Sequence, residues 1–170
     1  MLGLSIAAPA QSRGRNDGLQ DSEYGKSSSQ QIGGAPHFSL AFDWGAVIES
    51  DTRRYNGAPL FLGLTASYWP TDWFLLDASA YYLLSSKKFD LLLGPRFRTA
   101  TYPFSFAVGL RAGPIFLNDG SVRFGISPQV GFDLILEGHI LLGLSYAPDI
   151  PLGNDGGVSH RILMGVGYRF

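Results

Sequence analysis

The side chains of this sequence that could do chemistry are chiefly aspartates and arginines. They lie in segments where large apolar residues alternate with small or polar ones, and they occupy the positions between the large apolar residues. The other residues at these positions are mostly Gly, Ala and Ser. Opposite charges on one face of a sheet pair with each other, so we predict a structural ion-pair network rather than a catalytic centre. Arg161 also lies at one of these positions between large apolar residues. The predicted members are Asp43, Thr65, Asp77, Asp90, Arg96, Arg98, Arg111, Arg123, Asp133 and Arg169.

A Ser–His pair is the arrangement best suited to nucleophilic catalysis. Ser159 and His160 are adjacent, and Asp149 and Asp155 lie in the segment before them. Histidine can activate a serine when an acid orients it, but adjacent residues of a strand point to opposite faces, so this pair would not meet in a regular strand. The sequence also has no H-x-H pair, acidic cluster or glycine-rich phosphate loop. We therefore predict no catalytic, cofactor-binding or metal-binding residues.

Composition narrows the class of protein. The 170 residues suffice for one domain, the net charge is −1, and no cysteine is present. This charge gives no electrostatic basis for binding nucleic acid, and the lack of cysteine excludes disulfides and thiolate metal sites. No apolar run approaches the roughly 18 residues of a membrane helix. Lys and Glu, which a soluble surface normally carries throughout, occur only before residue 37 and in predicted turns.

A two-residue alternation of large apolar with small or polar residues begins at His37 and continues to Phe170. Turn-forming residues divide it into segments long enough to cross a membrane as strands. Sequential antiparallel strands that close on themselves form an up-and-down barrel. We therefore predict an all-β fold, an eight-stranded antiparallel up-and-down transmembrane β-barrel. The predicted strands are 37–48, 60–69, 73–84, 89–99, 104–116, 122–136, 140–147 and 159–170.

The apolar phase of the alternation is predicted to face lipid. It is almost free of charge, and a charge at mid-depth of the membrane costs about 2–4 kcal/mol. Aromatic residues also gather near the strand ends, as in the girdles at membrane interfaces. Pro95, Pro114 and Pro128 fall inside predicted strands, where we expect bulges or shifted strand ends. The predicted girdles are Trp69, Trp73, Phe74, Phe97, Tyr102, Phe104, Tyr168 and Phe170 at one end, and Tyr82, Phe89, Phe116, Phe124 and Tyr146 at the other.

The first 36 residues lack the alternation. Residues 1–10 are largely apolar, contain Ala8-Pro9-Ala10, and resemble the end of a secretory signal peptide. Residues 11–36 are rich in Ser, Gly, Gln, Asp and Arg, so we predict a flexible tail that is not part of the barrel wall. The barrel is predicted to span 37–170.

The final segment, 159–170, has apolar residues at alternate positions that end in Val166, Tyr168 and Phe170. This pattern, the strand count and the asymmetry of short turns and long loops resemble the small eight-stranded bacterial outer-membrane barrels of the OmpA and OmpX type, over residues 37–170. In that family the C-terminal pattern is what the assembly machinery reads. The resemblance therefore implies that Val166, Tyr168 and Phe170 form an assembly signal.

The resemblance also implies a location in the bacterial outer membrane, with its lipid and lipopolysaccharide as surroundings and the barrel-assembly machinery as a partner during insertion. It places the tail 11–36 and the short turns in the periplasm and the long loops 49–59 and 148–158 outside the cell. We expect a structural or interaction role in envelope integrity, adhesion or a complex, with a protein partner meeting those loops or the tail. Two alternatives stay open: a lipid-A-modifying enzyme, and a narrow pore, although side chains fill an eight-stranded interior.

Counting across the turns predicts one ion pair in particular. Pairing Leu84 with Phe89 sets Asp77 directly opposite Arg96 on the inner face, and directly opposed residues have Cβ atoms about 5 Å apart. The same arithmetic across the two preceding connections sets Thr65 beside Asp77 and Asp43 beside Thr65. We therefore predict an inner row of Asp43, Thr65, Asp77 and Arg96.

Overall fold

Eight antiparallel strands close into a barrel in the computed structural model, which describes residues 37–49, 59–99, 101–153 and 157–170. Each strand pairs with its neighbours in sequence, and β8 pairs with β1. The predicted fold is confirmed, while the predicted segments 1–10 and 11–36 lie outside the described residues. The strands are β1 (His37–Glu49), β2 (Leu60–Thr71), β3 (Phe74–Leu83), β4 (Lys88–Arg98), β5 (Phe104–Phe116), β6 (Val122–Leu136), β7 (Ile140–Pro151) and β8 (Ser159–Arg169).

The two faces of the sheet differ in chemistry as the alternation predicts. Buried and exposed side chains alternate along β2 and β3. Large apolar side chains remain exposed on the outer face, among them Leu64 at 51% and Leu93 at 65%. Inward-facing Asp77, Arg111 and Arg161 are at most 2% exposed. A soluble protein rarely exposes a contiguous apolar surface of this kind, whereas lipid solvates it. None of the described residues forms a helix suited to crossing a membrane.

Connections of different length distinguish the two ends of the barrel. In the β5–β6 hairpin, Gly120 has φ of +81°, a left-handed conformation that glycine adopts without strain. The Ser121 hydroxyl and backbone amide both donate to Asp119 in this turn and lower the pKa of its carboxyl. The short-turn end carries the turns after Thr71, Arg98 and Leu136, and the loop end carries the connections after Glu49, Leu83, Phe116 and Pro151.

The strand register differs by two residues from the one predicted across three connections. Asp77 lies opposite Gly94 rather than Arg96, because the β3–β4 turn brings Leu83 against Lys88. Thr65 lies opposite Ser79 rather than Asp77. The predicted pairing of Asp43 with Thr65 is wrong in the same way, since Asp43 lies opposite Gly63. A shift of two residues leaves every side chain on its predicted face, because the side-chain period of a strand is two.

Proline is accommodated without the predicted bulges. β5 and β6 keep a single register through the pairs Leu110–Pro128 and Pro114–Phe124. β4 keeps its register with β3 through Pro95 and with β5 on both sides of it. The expectation of bulges or shifted ends at these three prolines was therefore wrong. The register shift lies instead between Tyr68 and Thr71, where Pro70 interrupts β2 near its end.

The second long loop is shorter than predicted because β7 continues to Pro151 instead of ending at residue 147. Asp149 pairs with Ser159 in the β7–β8 ladder, so it belongs to the barrel wall. The described part of this connection begins at Leu152, which is exposed. Of the first long loop, 49–59, the nine residues 50–58 lie outside the described part of the chain.

Candidate functional site: the charged barrel lumen

Polar and charged side chains occupy the described lumen at three levels, together with buried apolar side chains such as Phe61, Leu83 and Leu163. The loop-end cluster comprises Lys88, Asp90, Ser127, Asp149, Ser159 and Arg161. The central cluster comprises Asp43, Thr65, Asp77, Ser79, Tyr81, Arg96, Arg111 and Asp133. The short-turn cluster comprises Ser39, Trp69, Arg98, Ser105 and Arg169.

Arg161 organises the loop-end cluster. It extends from β8 across the lumen, where its Nη1 lies 3.3 Å from Asp90 Oδ2 and its Nη2 contacts Asp149 Oδ1. Nη2 also lies 3.4 Å from the hydroxyl oxygen of Ser127. Arg161, Asp90 and Asp149 are all at most 1% exposed. A fully buried guanidinium held by two carboxylates from other strands therefore closes the lumen at this level.

Arg96 organises the acidic part of the central cluster. Its Nε lies 2.9 Å from Asp77 Oδ2, although without the alignment of a hydrogen bond, and its Nη1 donates to Asp133 Oδ1 at 3.3 Å. The contact with Asp77 is diagonal, since Arg96 lies opposite Leu75 in the β3–β4 ladder. A long arginine side chain spans such a diagonal. The predicted position of Asp77 directly opposite Arg96 was therefore wrong, but the predicted ion pair between them is present, because the register differs by an even number of residues.

Tyr81 links the remaining members of the central cluster. Its hydroxyl accepts a hydrogen bond from Arg111 Nη1 at 2.7 Å and donates to Asp43 Oδ2 at 3.3 Å. Asp43 Oδ2 also accepts from the hydroxyl of Thr65 at 2.5 Å. The ring lies over Gly63, where a Cβ atom would come within 2.2 Å of Tyr81 Cδ1. Glycine is therefore required at this point for the tyrosine to lie across the lumen.

A polar cavity of about 60 Å³ lies beside the central cluster. It is lined by Asp43, Asp77, Arg96, Gln129 and Asp133, among others. A cavity needs about 10–15 Å³ of this volume to hold one water molecule, so it has room for a few. Gln129 Oε1 and Asp77 Oδ1 have no hydrogen-bond partner among the described residues, and water in this cavity would satisfy them.

Trp69 is the centre of the short-turn cluster, and its predicted place in an aromatic girdle was wrong. It is 2% exposed, points into the lumen, and donates from Nε1 to Ser39 Oγ at 2.9 Å. The register shift between Tyr68 and Thr71 lies next to it. The guanidinium carbons of Arg98 and Arg169 lie 4.8 and 5.3 Å from its ring centroid. These are cation–π distances, so this tryptophan packs with charged side chains rather than with lipid headgroups.

Most residues of the sequence-predicted network occupy one of these levels. Arg123 belongs to none of these three clusters and lies near the loop end of β6, half-buried and opposite Ile115 in the ladder. The roles of Asp149 and Lys88 were not predicted from the sequence. Asp149 follows a proline and lies in the predicted loop 148–158. Its spacing from Ala147 and Ser145 continues the inward phase of β7, and this signal could have identified it.

Ser159 and His160 lie on opposite faces of β8, as the strand period predicts. Ser159 is buried in the lumen, where Lys88 Nζ lies 3.4 Å from its hydroxyl oxygen. His160 packs against the outward-facing Tyr146, with Nδ1 2.6 Å from the phenol oxygen. This arrangement gives Ser159 no histidine base. Among the described residues no three His, Asp or Glu side chains are grouped to hold a metal ion.

The predicted assembly-signal residues all lie on the outer face. Val166, Tyr168 and Phe170 are exposed by 40%, 49% and 68%. The Tyr168 ring contacts Phe170 edge-on and stacks on His139 at the short-turn end. These side chains are therefore accessible from the membrane side of the finished barrel. Whether they act as a signal stays a prediction.

Comparison with known proteins identifies the fold. No protein-family model and no curated protein matches the chain. Among solved structures, Neisserial surface protein A (NspA) shares 15% identity over 79% of this chain and 97% of its own, with a TM-score of 0.57. The N-terminal β-barrel domain of Pseudomonas aeruginosa OprF shares 15% identity over 78% and 97%, with a TM-score of 0.54. A de novo designed transmembrane β-barrel shares 13% identity over 81% and 98%, with a TM-score of 0.55.

This chain has the fold of the small eight-stranded outer-membrane β-barrels. The agreement extends over nearly the whole of each compared chain, and identities this low indicate common architecture rather than common activity. The outer-membrane barrel fold and the apolar outer face together give the protein its location in the bacterial outer membrane.

Proposed function

We propose that this protein is a non-enzymatic structural or interaction protein of the outer membrane, whose closed barrel anchors loops that meet a partner. The observation that carries the proposal is the filling of the lumen. Arg161 with Asp90 and Asp149 closes the loop-end level, and Arg96 with Asp77 and Asp133 crosses the central level. A barrel filled in this way is a rigid support, which leaves the loops as its variable surfaces.

The contact surfaces in this proposal are the loops 49–59 and 148–158 on the outside and the tail 11–36 in the periplasm. The loop 148–158 joins β7 and β8, which carry Asp149, Ser159 and Arg161 of the loop-end cluster. Lipid and lipopolysaccharide surround the outer face, and the assembly machinery is a partner during insertion. A contribution to envelope integrity, adhesion or a complex fits this geometry.

The two alternatives have less support. A conducting pore would require the paired side chains at two levels to separate, and ion pairs between buried groups separate only at a large cost. A lipid-A-modifying enzyme would require a nucleophile and base in contact at the loop end. Ser159 and His160 point to opposite faces, so this pair does not supply that contact.

The test compares wild-type cells with cells that carry the barrel with residues 50–58 replaced by a short Gly–Ser linker. The matched control replaces the turn 84–87, which also lies at the loop end. We expect proteins that co-purify after crosslinking in native membranes to be lost with the first replacement and retained with the second. Steady conductance of the wild-type barrel in planar bilayers, or altered lipid A by mass spectrometry in cells that produce it, would contradict the proposal.

A further inference from the structure

Two arginines at the short-turn end share one tryptophan and have no acid partner within 4.0 Å among the described residues. Arg98 ends β4 and Arg169 ends β8, so both lie at the rim of the lumen. Each is 8% exposed, and both guanidinium groups lie within 5.3 Å of the Trp69 ring centroid. Their positive charges therefore lie on the same ring in a largely buried place, and each raises the cost of keeping the other charged.

The hydrogen-bonding capacity of these arginines is largely unused. Arg98 Nη2 donates to the Ser105 hydroxyl oxygen at 2.6 Å, while its Nε and Nη1 are buried without a partner among the described residues. Among the described residues, no carboxylate lies within 4.0 Å of either guanidinium group. Asp133 pairs with Arg96 instead. At the other two levels, by contrast, Arg161 and Arg96 each contact two carboxylates.

We propose that the short-turn cluster is a binding site for a phosphate group. The two positive charges beside one indole repel each other. A bound anion offsets this repulsion and accepts hydrogen bonds from the guanidinium N–H groups that have no other partner. A guanidinium presents its donors as a planar fork that matches phosphate oxygens. Trp69 packs against both forks, and its own Nε1 donates to Ser39. The number of free donors exceeds what the two oxygens of one carboxylate accept, which favours a phosphate.

The phosphate has two possible sources, which share the same chemistry. One is a soluble phosphate or phosphomonoester that enters the mouth of the barrel at the short-turn end. The other is the headgroup of an anionic phospholipid in the adjacent leaflet, bent over the rim. Either group would lie between Arg98 and Arg169 beside Ser105.

The experiment uses the fluorescence of Trp69 in the full chain with Trp44 and Trp73 replaced by phenylalanine. Barrels in a phosphate-free maltoside detergent are titrated with inorganic phosphate against sodium chloride of equal ionic strength. In parallel, barrels in nanodiscs of phosphatidylcholine are compared with barrels in nanodiscs that contain phosphatidylglycerol. A saturable signal with inorganic phosphate identifies a soluble source, and a difference seen only between the nanodiscs identifies the headgroup.

Variants decide whether that signal comes from the short-turn cluster. We expect Arg98→Gln and Arg169→Gln each to weaken binding by at least about tenfold, because each removes a charge-assisted contact. Arg123→Gln removes the same charge near the opposite end and should bind as the parent does. Arg98→Lys and Arg169→Lys keep the charge without the fork and show whether a folded barrel loses binding through geometry alone. No saturable change in either arm, or an equal change in the Gln variants with an unshifted midpoint, would overturn the proposal.

Discussion

Replacing Arg161 with methionine is the sharpest perturbation of the filled lumen. Methionine keeps much of the volume of the arginine and removes its charge, so the change leaves little cavity. It leaves the carboxylates of Asp90 and Asp149 buried without the guanidinium that joins them. It also removes the cation–π contact of Arg161 with Tyr81, whose ring centroid lies 4.7 Å from the guanidinium carbon.

The expected loss in the free energy of unfolding follows from these contacts. Removing one partner of a buried ion pair costs about 3–5 kcal/mol, because the remaining charge is uncompensated. Lys88 lies in the same cluster and offsets part of the loss, while the missing cation–π contact adds to it. We therefore expect Arg161→Met to destabilise the barrel by about 3–5 kcal/mol.

Neutralising the acids separates the charge effect from a packing effect. The triple variant Arg161→Met, Asp90→Asn, Asp149→Asn contains no stranded charge and should recover at least about half of the loss, since a buried ion network replaced as a whole is often close to neutral. Reversible urea unfolding in lipid vesicles, followed by tryptophan fluorescence, gives all three free energies. A single variant within about 1 kcal/mol of wild type, or a triple variant as unstable as the single one, would refute the reasoning.

Three further outcomes follow from the same structure. In single-tryptophan variants, lipids brominated on their chains should leave Trp69 unquenched and quench the two outward-facing tryptophans; equal quenching would contradict a lumenal Trp69. Gly63→Ala should lower the free energy of unfolding by about 1–3 kcal/mol, because the added Cβ would overlap the Tyr81 ring and a carbonyl oxygen 2.7 Å away. Gly143→Ala should cost less in the same urea assay, because the nearest atom would lie 3.6 Å from its added Cβ. Leu93→Arg on the lipid face should cost about 2–4 kcal/mol, and Asn118→Arg in a turn should stay within about 0.5 kcal/mol.

The fold was predictable because its evidence is periodic. Every strand from β1 to β8 repeats the same two-residue pattern, and several predicted bounds, such as those of β5 and β6, match the structure. The outward direction of the large apolar side chains was also predictable. Their positions carry almost no charge, and a charge there would contact lipid. The same alternation places Trp69 on the inner face. It was nevertheless assigned to an aromatic girdle because it is aromatic and lies near a strand end.

The strand register and the contact partners of individual side chains could not be predicted from the alternation. A two-residue period distinguishes odd shifts from even ones and nothing finer, so the pairings of Asp77 and Thr65 were each wrong by two. The contact of Arg161 with Asp149 depends on β7 continuing past Pro148, which proline in a sequence argues against. The short-turn cluster depends on side chains from β2, β4 and β8 meeting around one ring, which no single segment shows.

We expect the ion pairs to distinguish between strand registers that the alternation alone does not distinguish. Sliding any strand by two residues would keep apolar side chains towards lipid and polar ones inside, so burial alone hardly opposes it. Arg96 on β4 reaches acids on β3 and β6, and Arg161 on β8 reaches acids on β4 and β7. β4 therefore takes part in both networks, and a slip of this strand would strain both at once. Charged groups in a narrow lumen cost free energy to bury, and we expect them to favour the register in which they are jointly paired.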